Sequence, residues 1–189
     1  IPLATSVTAL EIATGNVLWS RQLVYHDLWD YDTNSPPTLV DIEKNGQKIP
    51  ALVQTSKQGF IYILDRYTGQ PIYPIYDLPV PKSTVPGEVS SPTQPFVPLP
   101  EPTTPMRWPG VFPLADMISF GACSRQAKEL VYEGRFTPPS LKGSLVYPAT
   151  IGGVEWGGGA VDPGKQIFVV NHTSAVQISW REPGGRLWA

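Results

Sequence analysis

The reactive side chains of this sequence are most concentrated in a short segment near its start. Residues 25–32 read Tyr-His-Asp-Leu-Trp-Asp-Tyr-Asp, so that three carboxylates and one imidazole lie among aromatic rings. A plain surface turn has no need of this combination. We call this segment the Asp-rich turn and take it as the candidate site.

Three kinds of chemistry are open to the Asp-rich turn. His26, Asp27, Asp30 and Asp32 are acceptable metal ligands, but their spacing matches neither the zinc patterns nor the calcium loop with its central glycine. Two of the carboxylates could instead flank a glycosidic bond, as in a hydrolase. In the third chemistry, an aspartate beside Trp29 is partly desolvated, which raises its pKa from about 3.9 and suits it to act as a general base.

A purely structural role is the alternative for individual side chains. Asp27 and Asp32 could each accept backbone N–H groups within the turn, and His26 could orient or cap it. The residue types therefore leave a metal site, a hydrolase, a general base and a capped turn open. The predicted secondary structure around the segment helps to choose among these roles.

A repeated hairpin pattern indicates how the Asp-rich turn is held. Each copy predicts a strand, an acidic residue, a tight turn whose glycine can take positive φ, and a second strand that carries an aromatic residue. Repeated hairpins are typical of β-propeller blades, which bury their faces against one another; a β-sandwich with similar turns is the alternative. The aromatic residue would pack between blades. The first copy is 7–11 with Gly15 and Trp19, and the second, 54 residues later, is 61–65 with Gly69 and Tyr73. A weaker third copy is 159–161 with the turn Asp162-Pro163-Gly164 and the strand 167–170.

Proline is frequent, with 22 among 189 residues. Because proline ends helices, we expect little helix, with 124–132 as the exception. Prolines recur densely over 71–113, where the aromatic content is too high for a free linker, so we expect an ordered loop excursion over the propeller face. The chain should return to a strand at 144–147. The predicted fold class is all-β: a partial β-propeller with a long Pro-rich loop.

Charge and cysteine content exclude further classes of function. The formal net charge of −2 and the pI near 5.7 provide no basic field for binding nucleic acid. The single Cys123 excludes an intrachain disulfide and any Cys-cluster metal site. No apolar run approaches the roughly 20 residues needed to span a bilayer.

Six motifs in one order carry a resemblance that covers Thr5 to about Val176. Together they resemble the membrane-bound PQQ-dependent (quinoprotein) glucose dehydrogenase family, of the glucose, quinate or shikimate type, where PQQ is pyrroloquinoline quinone. The motifs are His26-Asp27-Leu28-Trp29-Asp30, Pro36-Pro37-Thr38-Leu39, the strand from Lys57 to Arg66, Pro92-Thr93-Gln94-Pro95-Phe96, Phe136-Thr137-Pro138-Pro139-Ser140 and Gly152-Gly153-Val154-Glu155-Trp156-Gly157-Gly158.

The resemblance implies an eight-bladed propeller of which this chain supplies about three blades. Residues 1–176 are then an internal fragment of the propeller domain, with 71–113 as its Pro-rich excursion, and 177–189 form a divergent or truncated tail without an assigned role. PQQ is expected on the propeller axis beside a divalent cation, calcium or magnesium. We expect the ligands of that cation to lie outside this chain.

The resemblance also implies roles for four residues. Asp30 is expected to be the catalytic base, and Lys57 to bond the quinone oxygens; Lys57 taken alone would pass for an ordinary solvated lysine at a strand end. Asn171 and Trp156 are expected to lie near the cofactor. Trp19 and Tyr73 are assigned to packing.

The implied function is the oxidation of a sugar or polyol hydroxyl, with an Asp base and hydride transfer to the quinone. Electrons are expected to pass to ubiquinone through a membrane segment outside this chain, at the periplasmic face of the bacterial inner membrane. The isolated chain is expected to be inactive. The alternative is a noncatalytic β-propeller scaffold for protein binding, which would need neither Asp30 nor Lys57.

Overall fold

The computed structural model describes residues 3–182 and 187–188 and consists mainly of small antiparallel sheets. Two sheets have three strands, in the orders β3-β4-β5 and β12-β11-β8, and three are two-stranded hairpins, β1-β2, β6-β7 and β9-β10. The strands are β1 (Ser6–Leu10), β2 (Val17–Gln22), β3 (Thr38–Lys44), β4 (Gln47–Thr55), β5 (Ile61–Asp65), β6 (Tyr76–Pro79), β7 (Thr93–Phe96), β8 (Ser144–Val146), β9 (Gly159–Asp162), β10 (Ile167–Val170), β11 (Gln177–Arg181) and β12 (Leu187–Trp188).

The first and third copies of the repeated pattern form hairpins, as predicted. The second does not: β5 pairs with β4, and its turn is followed by an isolated bridge between Leu64 and Pro71 instead of a strand at Tyr73. β1 pairs with β2, with Ala9 opposite Trp19, and β9 pairs with β10. The acidic residue of the second copy caps its turn, because the Asp65 carboxylate accepts the backbone N–H groups of Tyr67 and Thr68 at 2.9 and 2.8 Å. The third copy also has its aromatic residue: Phe168 follows the turn glycine at the same interval as Trp19 and Tyr73 and packs into a core cluster.

Trp19 joins the first hairpin to the turn that follows β5. Its indole Nε1 donates to the carbonyl of Arg66 at 3.2 Å, and its ring lies against Gly69, where a Cβ would come within 2.5 Å of the ring. Arg21 on the same strand donates to the Gly69 carbonyl at 2.8 Å. Trp19 therefore packs between neighbouring units, as the repeat predicts.

Two apolar clusters hold the sheets together. The smaller one contains Val40, Ala51, Val53 and Ile61, and Phe168 from the third hairpin packs against it. The larger one connects the first hairpin, the Asp-rich turn and β4-β5, and its aromatic members bury the most apolar surface. Its fully buried residues include Leu23, Val24, Trp29, Tyr31, Phe60, Tyr62, Leu64 and Phe136.

The Pro-rich segment contains an antiparallel ribbon, β6 with β7, in which Tyr76 pairs with Phe96. Two short helices follow, α1 (Pro113–Ile118) and α2 (Ala122–Glu129). The sequence did not predict α1, which begins with proline at the first helical turn, where a missing N–H costs nothing. The predicted helix 124–132 is wrong at both ends, and it ends early because Leu130 is extended and Val131 bridges to Ser144.

The last part of the chain also enters a sheet. β11 pairs with β8, with Ile178 opposite Leu145. Arg181 at the end of β11 forms an ion pair with Glu88 of the Pro-rich segment at 3.0 Å. Neither helix among residues 3–182 has the length and apolar content to cross a bilayer.

Candidate active site

Lys57 lies in the tight turn between β4 and β5. The turn closes through a hydrogen bond from the Gly59 N–H to the Ser56 carbonyl at 2.9 Å, and Gly59 has a φ of +80°. The Ser56 hydroxyl donates to the Phe60 carbonyl at 3.1 Å. The turn is deeply packed, and Lys57 is only 7% exposed. A lysine with so little exposure requires partners for its charge.

The Asp-rich turn presents its carboxylates to Lys57 because its aromatic residues point the other way. Trp29 and Tyr31 are buried, and each is anchored by a hydrogen bond of 2.7 Å, from Trp29 Nε1 to the Thr137 carbonyl and from the Tyr31 hydroxyl to the Pro148 carbonyl. The intervening Asp30 and the following Asp32 are therefore left on the exposed side. This alternation places both carboxylates on one face.

Lys57 bridges these two carboxylates. Its Nζ lies 2.9 Å from Asp30 Oδ2 and 2.8 Å from Asp32 Oδ2. The Lys57 side chain is 9% exposed, whereas Asp30 and Asp32 are 55% and 51% exposed. The ammonium therefore lies below two carboxylates that a ligand can still reach. The two residues that the sequence predicted to be catalytic are in direct contact.

Two opposing effects act on the Lys57 ammonium. Burial lowers its pKa, but hydrogen bonds from the ammonium to Asp32 and Asp30, and their negative charges, outweigh burial and raise the pKa of Lys57 above its usual value. Lys57 therefore stays charged at neutral pH.

Asp30 has an unusual backbone. Its φ is +63°, in the left-handed region that few residues other than glycine adopt, although aspartate tolerates it better than most. Backbone strain of this kind is concentrated at functional sites. His26 in the same turn also has a positive φ, of +46°, so the strain marks the turn as a whole.

The desolvated acid of the turn is Asp27, not Asp30. Burial raises the pKa of Asp27, and hydrogen bonds from the backbone of Trp29 and Tyr31 only partly offset this effect. Asp27 Oδ1 accepts the Trp29 N–H at 2.9 Å, so Asp27 caps the turn, which was one of its two predicted roles. Asp32 is not a cap: within residues 3–182 its carboxylate bonds to Lys57.

A glycine-rich loop, residues 152–158, closes against the Lys57 turn. The Gly153 N–H donates to the Lys57 carbonyl at 2.5 Å, and the Gly153 carbonyl accepts the Thr173 N–H at 2.8 Å. The loop therefore joins Lys57 to the segment that contains Asn171. Trp156, at the loop surface, is 77% exposed.

Trp156 lies on this loop and Asn171 lies beside it, and both residues are exposed. A Cβ at Gly157 would lie 3.9 Å from Asn171 Oδ1, so the amide is adjacent to the loop. No hydrogen bond among residues 3–182 joins either side chain to Asp30 or Lys57. Their role as cofactor-binding residues stays a prediction.

Sequence reasoning missed Arg135, which fixes the far side of the Lys57 turn. This guanidinium is buried and donates to the Gln58 carbonyl, to the hydroxyl and carbonyl of Thr104 at 3.1 and 3.2 Å, and to the Pro105 carbonyl at 2.8 Å. It thereby ties the turn to the Pro-rich segment. Its position directly before the Phe136 motif was the one available signal.

The Asp-rich turn is not a metal cluster by itself. Among residues 3–182, no group of three or more His, Cys, Asp or Glu side chains is placed to hold a metal ion. A cavity of about 710 Å³ lies elsewhere, in the Pro-rich segment, with Tyr76, Phe96 and Met106 in its wall. Asp30 and Lys57 do not line that cavity: the Asp30 carboxylate is exposed on another face, and Lys57 is buried beneath it.

The chain is similar to known quinoprotein dehydrogenases. A family model described as PQQ, glucose/ethanol/alcohol dehydrogenase, beta-propeller domain, matches residues 2–186, beyond Val176 where the sequence analysis ended the resemblance. The chain is 43% identical to the quinoprotein glucose dehydrogenase of Gluconobacter oxydans (strain 621H), over 98% of the chain and 23% of that protein. It is 40% identical to the quinoprotein glucose dehydrogenase of Escherichia coli (strain K12), over 96% of the chain and 23% of that protein.

Another relative acts on a different substrate. The chain is 36% identical to the quinate/shikimate dehydrogenase (quinone) of Acinetobacter baylyi, over 88% of the chain and 21% of that protein. The chain thus spans less than a quarter of the length of these curated relatives.

Solved structures show the same fold. The quinohemoprotein alcohol dehydrogenase from Comamonas testosteroni superposes with a TM-score of 0.58 at 19% identity, over 96% of this chain and 21% of that one. A europium-containing methanol dehydrogenase superposes with a TM-score of 0.54 at 24% identity, over 87% of this chain and 22% of that one. The chain belongs to the PQQ-dependent glucose/ethanol/alcohol dehydrogenase β-propeller family, and its sheets form part of such a propeller.

Proposed function

We propose that the protein containing this chain is a PQQ-dependent dehydrogenase that oxidises a hydroxyl of a sugar or polyol. Asp30 is the general base and Lys57 the electrophilic partner of the cofactor. The observation that carries the proposal is the contact between them: the Lys57 ammonium lies 2.9 Å from Asp30 Oδ2, buried below an accessible carboxylate. An accessible acid and a cation directly beneath it are the two groups that this reaction requires of the protein.

The donor set at Lys57 fits PQQ, a planar quinone that carries carboxylates. An ammonium has three N–H donors, and Asp30 and Asp32 accept two of them. The third can be directed at a quinone oxygen or a carboxylate of the cofactor. The exposed Trp156 ring offers a flat apolar surface nearby, and the Asn171 amide offers a further polar group.

Each residue of the site has its own role in the oxidation. Bound PQQ supplies the electrophilic carbon that accepts a hydride. Asp30 takes the proton of the substrate hydroxyl. Lys57, fixed in its charged state, stabilises negative charge that develops on the oxygen it contacts, and removing one such donor typically lowers the rate by about 10²- to 10³-fold. Trp29 and Tyr31 hold the carboxylate face in place from below.

Substrate, electron acceptor and location are extensions of this proposal. Relatives named for glucose and for quinate or shikimate support a cyclic polyol as the substrate class. We propose that a divalent cation, calcium or magnesium, completes the cofactor site with ligands from the rest of the protein. Ubiquinone as the electron acceptor and the periplasmic face of the inner membrane as the location complete the proposal.

The scaffold alternative accounts poorly for Lys57. A binding surface gains nothing from an ammonium that is removed from solvent and held by two carboxylates, since burying a charge is costly and surface ion pairs contribute little.

The test uses the full-length protein reconstituted with PQQ and calcium or magnesium. Dye reduction is measured with glucose, quinate and shikimate as substrates, and PQQ binding by titration. We expect Asp30→Asn to abolish turnover almost completely while PQQ still binds, and Lys57→Ala to slow the chemical step. Glu129→Gln removes an exposed carboxylate from α2 and serves as the control. Wild-type turnover in Asp30→Asn would refute Asp30 as the base.

A further inference from the structure

Asp32 contacts Lys57 but has no part in the proton transfer described above. Its Oδ2 lies 2.8 Å from Lys57 Nζ, and its carbonyl accepts the Lys57 backbone N–H at 3.4 Å. Asp32 thus contacts both the main chain and the tip of the lysine. We propose that Asp32 is a positioning residue that holds the Lys57 ammonium in place while Asp30 takes the substrate proton. This inference rests on the proposed function.

The charge balance of the reaction explains why a second carboxylate is needed. As the hydroxyl O–H bond breaks, the proton bonds to an Asp30 oxygen, and the hydrogen on the substrate carbon leaves with its electron pair to the quinone. Asp30 is then neutral and no longer balances Lys57. A buried ammonium without a partner is costly, and the Lys57 side chain is only 9% exposed. Asp32 does not take the substrate proton, and its carboxylate, 2.8 Å from Lys57 Nζ, keeps the ammonium paired.

The second carboxylate also limits how strongly Lys57 binds Asp30. With both acids present, the ammonium divides its donors between two acceptors at 2.9 and 2.8 Å. Without Asp32, Asp30 would be its one carboxylate partner in the turn. The base would then be engaged by Lys57 when the substrate arrives, and turnover would fall without a change in substrate binding.

Asp32 is held in position by its neighbour. Tyr31 is completely buried, and its hydroxyl bonds to the Pro148 carbonyl at 2.7 Å. The Asp32 backbone is therefore fixed although its carboxylate is half exposed. A carboxylate anchored in this way can orient a lysine without being buried itself.

The first experiment measures Lys57 directly and needs no cofactor. The full-length protein is treated with acetic anhydride at fixed pH, and acetylation of each lysine is followed by peptide mass spectrometry. Only the neutral amine reacts. Loss of the Asp32 charge should lower the pKa of Lys57 and make its amine more accessible, so that acetylation becomes faster. We expect about 10-fold faster acetylation in Asp32→Asn, as for a drop of one pKa unit, and a near-normal rate in Asp32→Glu. The exposed Lys142 should react equally in all proteins.

The second experiment separates positioning from a general loss of structure. In the protein reconstituted with PQQ, we expect Asp32→Asn to lower kcat about 10- to 100-fold, as for other supporting partners of a catalytic group, with KM unchanged. Asp32→Glu keeps the charge and should recover most of kcat, and Glu129→Gln should match the wild type.

The outcomes decide between the proposals. Equal Lys57 acetylation and equal kcat in Asp32→Asn and wild type would overturn the role of Asp32. Recovery of kcat by excess calcium or magnesium would also overturn it, because that result identifies a metal ligand. If Asp32→Asn fails to fold, Asp32→Ser decides: it also removes the charge, so Lys57 should again be acetylated about 10-fold faster, and a wild-type rate would contradict the proposal. Failure of the proposed function would appear separately, as wild-type protein without PQQ-dependent turnover.

Discussion

Gly152 lies directly against the Lys57 side chain. A Cβ at position 152 would come within 2.6 Å of Lys57 Cγ and 2.8 Å of its Cα, and Gly152 has a φ of +76°. The glycine-rich loop can therefore approach the lysine only where no side chain intervenes. The glycines of this motif shape the site through the space that they leave empty.

We predict that Gly152→Ala lowers turnover of the reconstituted protein about 100-fold. The new methyl group must displace Lys57, and a shift of about 1 Å in a reacting group costs this much. Gly87→Ala is the matched control, since Gly87 has a φ of +81° but nothing within 4 Å of its Cβ position. Both variants introduce backbone strain, and only the first should change kcat. Equal kcat values would show that Lys57 tolerates the displacement.

The two turn glycines of the repeat should differ in their response to a methyl group. Gly15 and Gly69 both have positive φ, so Gly→Ala strains either one by about 1–2 kcal/mol. Only Gly69 faces the Trp19 ring, where overpacking adds about 1–3 kcal/mol. Urea unfolding should therefore show a larger loss for Gly69→Ala than for Gly15→Ala. Equal losses would mean that Trp19 moves away at little cost.

The sequence predicted the features that depend on local pattern. The turn chemistry and the aromatic interval around Gly15 and Trp19 are readable because a hairpin is set by its own residues. The β6-β7 ribbon was not predicted, because Pro79 and Pro95 within it disrupt the alternation that identifies strands. Pairing there depends on partners that are distant in sequence.

The site was predictable only in part for a similar reason. Asp30 and Lys57 were found through a resemblance, and their contact is a tertiary relationship that no spacing shows. The expectation that an acid beside Trp29 is desolvated holds for Asp27 instead of Asp30, because the anchored aromatic rings turn Asp30 outward. Arg135 was overlooked because its acceptors are carbonyls, which every sequence contains.

Arg135 should be difficult to replace, even by lysine. Its planar fork donates to carbonyls of three residues at once, and its guanidinium lies 5.1 Å from the centre of the Phe60 ring. A lysine cannot reach all these acceptors, and leaving the buried carbonyl of Gln58 or Thr104 without a donor costs about 1–3 kcal/mol. We predict that Arg135→Lys lowers the free energy of unfolding by at least that amount. The exposed Arg107→Lys is the control, and equal stability of the two variants would contradict the prediction.

Asp27 should make a contribution to stability that becomes more favourable as the pH falls. Burial raises the pKa of Asp27, so the folded protein holds this proton more tightly than the unfolded chain does. Protonation therefore favours folding, and the cost of the buried charge at neutral pH disappears as the pH falls through the raised pKa. Asp27→Asn is neutral throughout and can still accept the Trp29 N–H. We predict that it is more stable than wild type at pH 7 and that the difference shrinks toward pH 4.

Asp65 provides a control of opposite sign. Burial alone would raise its pKa, but hydrogen bonds from Thr68 and Tyr67 lower the pKa of Asp65 overall. The charged form therefore favours folding, so Asp65→Asn should be less stable than wild type at pH 7, and this deficit should shrink as the pH falls. Denaturant unfolding of both variants and wild type at a series of pH values measures the two trends. If the free energy of unfolding changes with pH in the same way for Asp27→Asn and wild type, Asp27 keeps an ordinary carboxyl pKa in the folded protein.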